Sequence, residues 1–332
     1  MQHFDLNTTR SALPFDRLIP ALQGLFVAGC EVPLRHTHSL LDPGSPGNPG
    51  GASNTVLIMP AWQPGRFLGI KTVNIFPGNA ARGLPGLFST YTLYDAQTGQ
   101  PLAQIDGNEI TSRRTAAASA LAASYLAAPD ARTLLVVGCG GVGSLIPAAY
   151  RAVLPIDHVL LWDRTPARAE TLAQQLRAEG ISATAAPDLQ AAVGQADVVS
   201  CATLATTPIV QGAWLRPHSH LDLIGSFTPL MREADDACFA GARLVVDTPE
   251  ALQKSGELLG PMSRGVFTAD SVAGTLADLC RGTLPGRLGS TGRTVFKSVG
   301  TALEDLAAAM LVWSHQGPQA TDTPQCLTLL NK

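Results

Sequence analysis

Residues 133–143 constrain the fold of this chain more than any other stretch. Thr133-Leu-Leu-Val-Val137 is a short, almost wholly apolar run that reads as a buried strand. Gly138-Cys-Gly140-Gly-Val-Gly143 follows it directly, and a helical pattern runs from Ser144 to Val153. A Gly-x-Gly-x-x-Gly turn alone is a weak signal, but between a strand and a helix it has the context of a dinucleotide-binding turn. Gly138 permits the tight turn, Gly140 lets the backbone approach a pyrophosphate, and Gly143 lets the helix pack closely on the strand. The helix start then offers N–H donors to the phosphates. Asp163 stands twenty residues beyond Gly143, at the end of the next strand, His158–Trp162. A carboxylate there is placed for ribose hydroxyls. Asp163 repels a 2′-phosphate and favours NAD, whereas Arg164 and Arg168, with the Thr165 hydroxyl, can hold one if Asp163 swings aside, so both NAD and NADP remain open. Pro147 interrupts the helix near its first turn, where little is lost.

The rest of the chain fits around that unit. Arg114–Ala127 is a strong helix former ended by Pro129, and from there strands and helices alternate: strands at 133–137, 158–162, 196–201, 220–224 and 243–247, a helix at 167–178 closed by Gly180, and a last helix from Ser298 to Trp313. Apolar strands separated by amphipathic helices imply a parallel sheet covered on both faces. Residues before 115 differ. Thr55–Met59 and Leu87–Tyr94 read as strands, Tyr94–Gly99 as a hairpin turn, and the Pro/Gly-rich 41–51 as a loop inside a domain.

Composition removes several classes. Lys and Arg number 23 against 26 Asp and Glu, leaving no basic excess for a nucleic-acid backbone. No run of about 18 apolar residues is present for a membrane span. The start of the chain has no basic stretch followed by an apolar one, so a cytoplasmic location is expected. The six cysteines are scattered without a Cys-x-x-Cys pair and read as reduced, buried small side chains. Cys139 is a spacer in the glycine turn. His36-Thr-His38 and His218-Ser-His220 read as turn or surface histidines, so no metal is expected. No Gly-x-Ser-x-Gly elbow or Gly-x-x-x-x-Gly-Lys loop appears. Charged residues make up 15% of the chain, against about 25% in an average soluble protein, which leaves uncharged surface for a subunit interface.

Two further segments are specific. Gly69-Ile-Lys-Thr-Val-Asn-Ile-Phe-Pro-Gly-Asn79 and Thr111-Ser-Arg-Arg-Thr-Ala-Ala-Ala-Ser-Ala120 resemble the ornithine cyclodeaminase/μ-crystallin family. The resemblance continues through the glycine turn, Trp162–Thr165, Leu223-Ile-Gly-Ser-Phe-Thr-Pro229 with Arg232-Glu233, and Val295–Gly300 with Glu304-Asp305. It implies an α/β subunit of two parts: a Rossmann NAD(P)-binding domain over 116–301, and an α+β substrate and dimerisation domain from 1–115 and 302–332. It further implies a homodimer, and a substrate carboxylate held by Arg35 and Arg114 with Lys71 beside it. Guanidinium groups grip a planar carboxylate by two bonds, and an ammonium pairs with charge and moves a proton. Of the adjacent arginines, Arg114 is expected to face the site and Arg113 the solvent. The cofactor set expected from the resemblance is Gly138, Gly140, Gly141, Val142, Gly143, Asp163, Arg164, Thr165, Arg168, Ala202, Thr203, Ile224, Ser226 and Lys297. Glu304 and Asp305 read either as surface charges of the last helix or as residues near the domain junction.

Two departures narrow the chemistry. Cyclodeaminases of this family resemble one another in a glutamate two residues before a Met-Pro pair and an aspartate two residues before a proline. Here those positions hold Leu57, before Met59-Pro60, and Phe227, before Pro229. Leucine cannot hold a side-chain amine and phenylalanine cannot move a proton. The expected reaction is therefore hydride transfer to the C=N carbon of a cyclic imino acid, Δ1-pyrroline-2-carboxylate or Δ1-piperideine-2-carboxylate, with Lys71 and Ser226 as candidate catalytic groups; Ser226 reads equally as bonding the substrate nitrogen or a water and as merely filling its turn. An alanine-type amino-acid dehydrogenase, a cyclodeaminase, and a non-enzymatic crystallin-like binding protein are the alternatives.

Overall fold

The computed structural model describes residues 1–40, 54–289 and 292–315. The predicted 41–51 loop and Cys326 lie outside them. Two sheets organise the chain. The first contains β1 (Gln2–Phe4), β2 (His36–Leu40), β3 (Asn54–Gln63), β4 (Phe67–Ile75), β5 (Leu87–Asp95) and β6 (Pro101–Asp106), in the order β1-β6-β5-β4-β3-β2. Its pairs are antiparallel except β1 with β6. The predicted turn at 94–99 joins β5 to β6: the Asp95 carboxylate accepts from the Gln97 and Thr98 amides at 2.8 Å, and Gly99 takes the left-handed φ of +73°.

Alternation puts one face of this sheet inward, carrying Met59, Ala61, Lys71, Val73, Tyr91, Leu93, Ala103 and Ile105. Helices α1 (Leu6–Ala12), α2 (Phe15–Ala28) and α3 (Gly107–Leu126) belong to this half. The α3 helix begins seven residues before its sequence signal. Asp106 caps it, accepting from the Glu109 amide at 2.7 Å, while Gly107 lies so close to Ser89 that no side chain fits. Weak helix formers at 107–113 hid that first part.

The second sheet contains β7 (Thr133–Val137), β8 (His158–Trp162), β9 (Ala183–Ala185), β10 (Val198–Cys201), β11 (His220–Leu223), β12 (Arg243–Val246), β13 (Gly274–Thr275) and β14 (Thr294–Lys297). All its pairs are parallel, in the order β13-β12-β14-β11-β10-β7-β8-β9. This is the doubly wound Rossmann arrangement expected from sequence, with order reversing between β7 and β10. Between the strands run α4 (Ile146–Arg151), α5 (Pro166–Ala178), α6 (Leu189–Gln195), α7 (Ala251–Lys254), α8 (Gly256–Ser263) and α9 (Leu276–Arg281). Pro147 falls in the first turn of α4, which a 3₁₀ turn over Gly143–Leu145 precedes, so its missing N–H costs no helical bond.

The last helix, α10 (Ala302–Ser314), starts four residues later than its pattern suggested. Gly300 turns the chain with φ +78°, and Thr301 caps the helix. Helix α10 packs on α2 and α3 and against β3 and β4.

Candidate active site

Lys71 sits in the middle of β4. It lies opposite Met59 on β3 and Tyr91 on β5, and is only 1% exposed. A buried ammonium needs partners. Its Nζ lies 2.7 Å from Asp305 Oδ2 and 3.2 Å from the Thr111 hydroxyl. Asp305 Oδ1 in turn accepts from Arg114 Nε at 3.0 Å, and Glu304 Oε2 from Arg114 Nη1 at 2.6 Å. Both carboxylates are fully buried at the start of α10, so the surface-charge reading of Glu304 and Asp305 is corrected. An alanine-rich helix enclosed on all sides gives no amphipathic signal to mark which of its charges point inward.

Arg35 closes the cluster from the segment before β2, donating from Nη2 to the Gly300 carbonyl at 2.7 Å and to Glu250 Oε2 at 3.3 Å. Gly300 carries no side chain because a Cβ there would lie 2.5 Å from Arg114 Nη1. Thus β4, α3, α10 and the chain before β2 converge on one group of charges. Arg113 takes another course and corrects its expectation: its guanidinium stacks 4.6 Å over the Phe15 ring and donates to the Leu13 carbonyl, so it is packed into the N-terminal core.

The electrostatics follow from burial. Desolvation pulls Lys71 down to about 8, against the opposing attraction of Asp305. Desolvation pushes Asp305 upward, but Lys71 and Arg114 together hold it below the usual carboxylate range. Glu304 is pushed up to about 7 by burial and by its anionic neighbours Asp247 and Asp305, with Arg114 opposing. Tyr91 is a residue the sequence did not mark. Its hydroxyl is buried over Gly69, in space that any side chain at 69 would fill, and has no hydrogen-bond partner among the described residues.

At the switch point of the parallel sheet the glycine turn has the shape its spacing predicts. Gly138 takes φ +97°, and a Cβ there would come 2.7 Å from the Ala202 carbonyl oxygen. A Cβ on Gly143 would overlap the Gly138 carbonyl. Over Gly140 and Gly141 nothing lies within 4 Å. That open floor is where a pyrophosphate fits, so these residues suit a dinucleotide. Val142 begins the 3₁₀ turn. Asp163 accepts from the Cys139 amide at 2.9 Å and the Thr165 amide at 2.8 Å, joining the glycine turn to the β8 loop. Arg164, Thr165 and Arg168 are exposed around it. Ala202, Thr203 and Ile224 follow β10 and β11 along the same edge.

Two candidates do not reach this edge with their side chains. The Ser226 hydroxyl is wholly buried: it donates to the Met231 carbonyl and accepts from the Glu257 amide at 3.1 Å, which is the turn-filling one of its two readings. Lys297 is fully buried, with Nζ donating to the Leu223 carbonyl at 2.8 Å among several carboxylates, so its ammonium is engaged inside the protein. His220 is likewise buried on β11, bonded to Thr294 at 2.9 Å, whereas His36 and His38 are exposed on β2. Among the described residues no group of three or more His, Cys, Asp or Glu side chains is placed to hold a metal. The five described cysteines are free, but Cys30, Cys139 and Cys280 are only partly buried. Leu57 lies on the Lys71 face of the sheet, two residues from Met59, and Phe227 is 46% exposed in the loop beyond β11.

A glycine cradle at the switch point of a parallel sheet, joined to a second sheet bearing a buried lysine–arginine–carboxylate cluster, defines a dinucleotide-binding dehydrogenase fold. Residues 50–317 match the model of the ornithine cyclodeaminase/mu-crystallin family, and the chain belongs to that family. It is 46% identical over 267 residues to a Delta(1)-pyrroline-2-carboxylate reductase of Paracoccus denitrificans, covering 79% of this chain and 84% of that protein. A protein of the same name from Colwellia psychrerythraea is 36% identical over 301 residues, 90% of this chain and 93% of the relative. Among solved structures, Thermococcus litoralis Delta(1)-pyrroline-2-carboxylate reductase in complex with NADH and L-proline superposes with a TM-score of 0.86 at 29% identity, covering 94% and 96% of the two chains. An archaeal alanine dehydrogenase dimer with bound NAD follows at 0.85 and 28%, covering 94% and 95%.

Proposed function

We propose that this chain is an NAD(P)H-dependent reductase of a cyclic imino acid, converting Δ1-pyrroline-2-carboxylate, its six-membered homologue, or both to proline or pipecolate. The observation that carries the reading is the buried Lys71, held beside Arg114 through Asp305 on a face where position 57 is leucine. Such a site offers cations to a carboxylate and a proton to a ring nitrogen, and no anion at Leu57 for a side-chain amine. The named activity of the relatives supports it.

In this reading Asp305 and Glu304 take Nε and Nη1 of Arg114, and Nη2 is left for the substrate carboxylate, with Arg35 opposite. Lys71 gives a proton from Nζ to the imine nitrogen. Gly138–Gly143, Asp163, Ala202, Thr203 and Ile224 would hold a reduced nicotinamide dinucleotide, with Arg164, Thr165 and Arg168 at the ribose end, and that group would supply the hydride for the carbon beside the nitrogen. The protein supplies orientation and charge. The substrate part is residues 1–115 and 302–332 and the dinucleotide part 116–301, with α3 shared between them. The active species is a homodimer in the cytoplasm, a reducing compartment that the free cysteines support.

Mixed with NADH or NADPH and Δ1-pyrroline-2-carboxylate, the purified protein is expected to oxidise the cofactor without added ammonia, and to release no ammonia from ornithine. Cofactor oxidation that requires ammonia and an acyclic keto acid would instead establish an alanine-type dehydrogenase, a reading that the likeness to the archaeal enzyme supports. Comparable ammonia release from ornithine would overturn both.

A further inference from the structure

One buried carboxylate ties together two loops of the dinucleotide edge and has no part in the reaction above. Glu233 Oε1 accepts from the Thr203 amide at 2.7 Å and the Thr203 hydroxyl at 2.8 Å, while Oε2 accepts from the Gly225 amide at 2.7 Å. Thr203 follows β10 and Gly225 follows β11, so a single side chain fixes the separation of both backbones. The approach is tight: a Cβ on Gly225 would overlap the Thr203 carbonyl oxygen and lie 2.5 Å from Glu233 Oε1. Three donated bonds, at least one on each oxygen, suit an ionised carboxylate.

Burial pushes the Glu233 carboxyl above the usual carboxylate range, opposed by Lys297 and by the three donated bonds, and the packed side chains around it hold it in place. Glu257 accepts from the Glu233 amide at 2.7 Å and the Ala234 amide at 2.9 Å. Its own amide donates to Ser226, which ties this second layer back to the β11 loop. Lys297 is the buried cation of the group, attracted by Glu233, Glu257, Asp247 and Asp222. All of these side chains except the partly buried Thr203 are shielded from solvent.

We infer that Glu233 is a positioning residue for the dinucleotide: it sets the gap between 202–203 and 224–225, the backbone walls that receive the nicotinamide end. The inference rests on the dinucleotide site and not on the choice of imino acid, so its first test is made without substrate. Glu233→Gln keeps the size of the side chain but turns an NH₂ group toward one of the two loop amides, donor against donor, and releases that loop. The NADH dissociation constant, read by fluorescence titration without substrate, is expected to rise about tenfold, the loss expected for a hydrogen bond to a charged acceptor. Hydrogen exchange at Thr203 and Gly225 should quicken in the dinucleotide-free protein while the β7 amides keep their protection. In turnover, kcat should fall while the imino-acid KM stays within about twofold, as for a group acting only through orientation. Wild-type NADH affinity and kcat in a folded Glu233→Gln protein would overturn the inference, whatever happens to Tm. Should that variant not fold, Glu257→Gln removes support one layer back and is expected to weaken NADH binding about threefold. Wild-type affinity there would equally overturn it.

Discussion

Lys71 shows how far a residue's chemistry is set by what surrounds it. In water its ammonium would titrate near 10.5; buried, it is held at about 8. With Lys71 as the proton donor proposed above, reduction needs its protonated form, so kcat/KM for reduction should be level below that value and fall as pH rises through it. Asp305 favours the charged lysine, and Asp305→Asn removes that attraction. The lysine then titrates lower, and the alkaline limb of the pH–rate profile should move below 8, while Lys71→Ala should cost at least about a hundredfold in turnover with NADH affinity nearly unchanged. A profile unmoved in Asp305→Asn would show that Lys71 is not the titrating group. Legibility at this scale was uneven for physical reasons. Lys71 and Arg114 stand in specific motifs, but Glu304 and Asp305 lie in a helix apolar on every side, where charge alone does not tell inside from outside. Ser226 and Lys297 show the opposite sense: each adjoins the dinucleotide edge in sequence while its side chain turns into the protein, which for Ser226 is the turn-filling one of its two readings.

Elements carry these residues, and their ends matter more than their middles. Strands β7 and β8 match their sequence reading residue for residue, because short apolar runs bounded by turns have sharp limits. Helices α3 and α10 were displaced at their starts, where capping by Asp106 and Thr301 overrides propensity. The turn between β14 and α10 is the most exacting. Gly300 combines a left-handed φ with contact against the Arg114 guanidinium and a carbonyl that receives Arg35. Gly300→Ala adds strain of about 1 kcal/mol in the backbone and pushes on both substrate arginines at once. The expected result is an imino-acid KM raised about tenfold, with NADH affinity unchanged because the glycine turn at 138–143 is remote in the chain and untouched. A KM within twofold of wild type would mean that Arg114 shifts freely and is not fixed by this turn.

At the scale of the whole molecule, the doubly wound sheet was legible because a strand–glycine turn–helix unit followed by alternating elements admits few arrangements. The six-stranded sheet was less so, since strands such as β2 carry no inward face to leave an alternating pattern: all five of its residues are exposed. An uncovered edge strand is normally shielded or charged, yet this one ends in Leu40, which pairs with Asn54 at the end of the sheet that also carries Leu87 and Phe88. These apolar side chains are 41%, 39% and 43% exposed. By register Leu40 and Phe88 share one face at this end of the sheet and Leu87 points to the other, so the end is apolar on both faces; exposed apolar surface of this kind is what a second subunit covers, and it matches the thin charge of the chain. The protein should therefore sediment as a dimer at micromolar concentration. Changing Leu87 and Phe88 to Asp places charges on that surface and should give a monomer with a lower Tm, because burying an unpaired carboxylate at an interface costs several kcal/mol. NADH binding should survive in the monomer, since every residue assigned to the dinucleotide lies in the turns and helix starts that follow strands of the parallel sheet. A wild-type monomer at tens of micromolar would refute the dimer, and a dimer that withstands both aspartates would place its interface elsewhere.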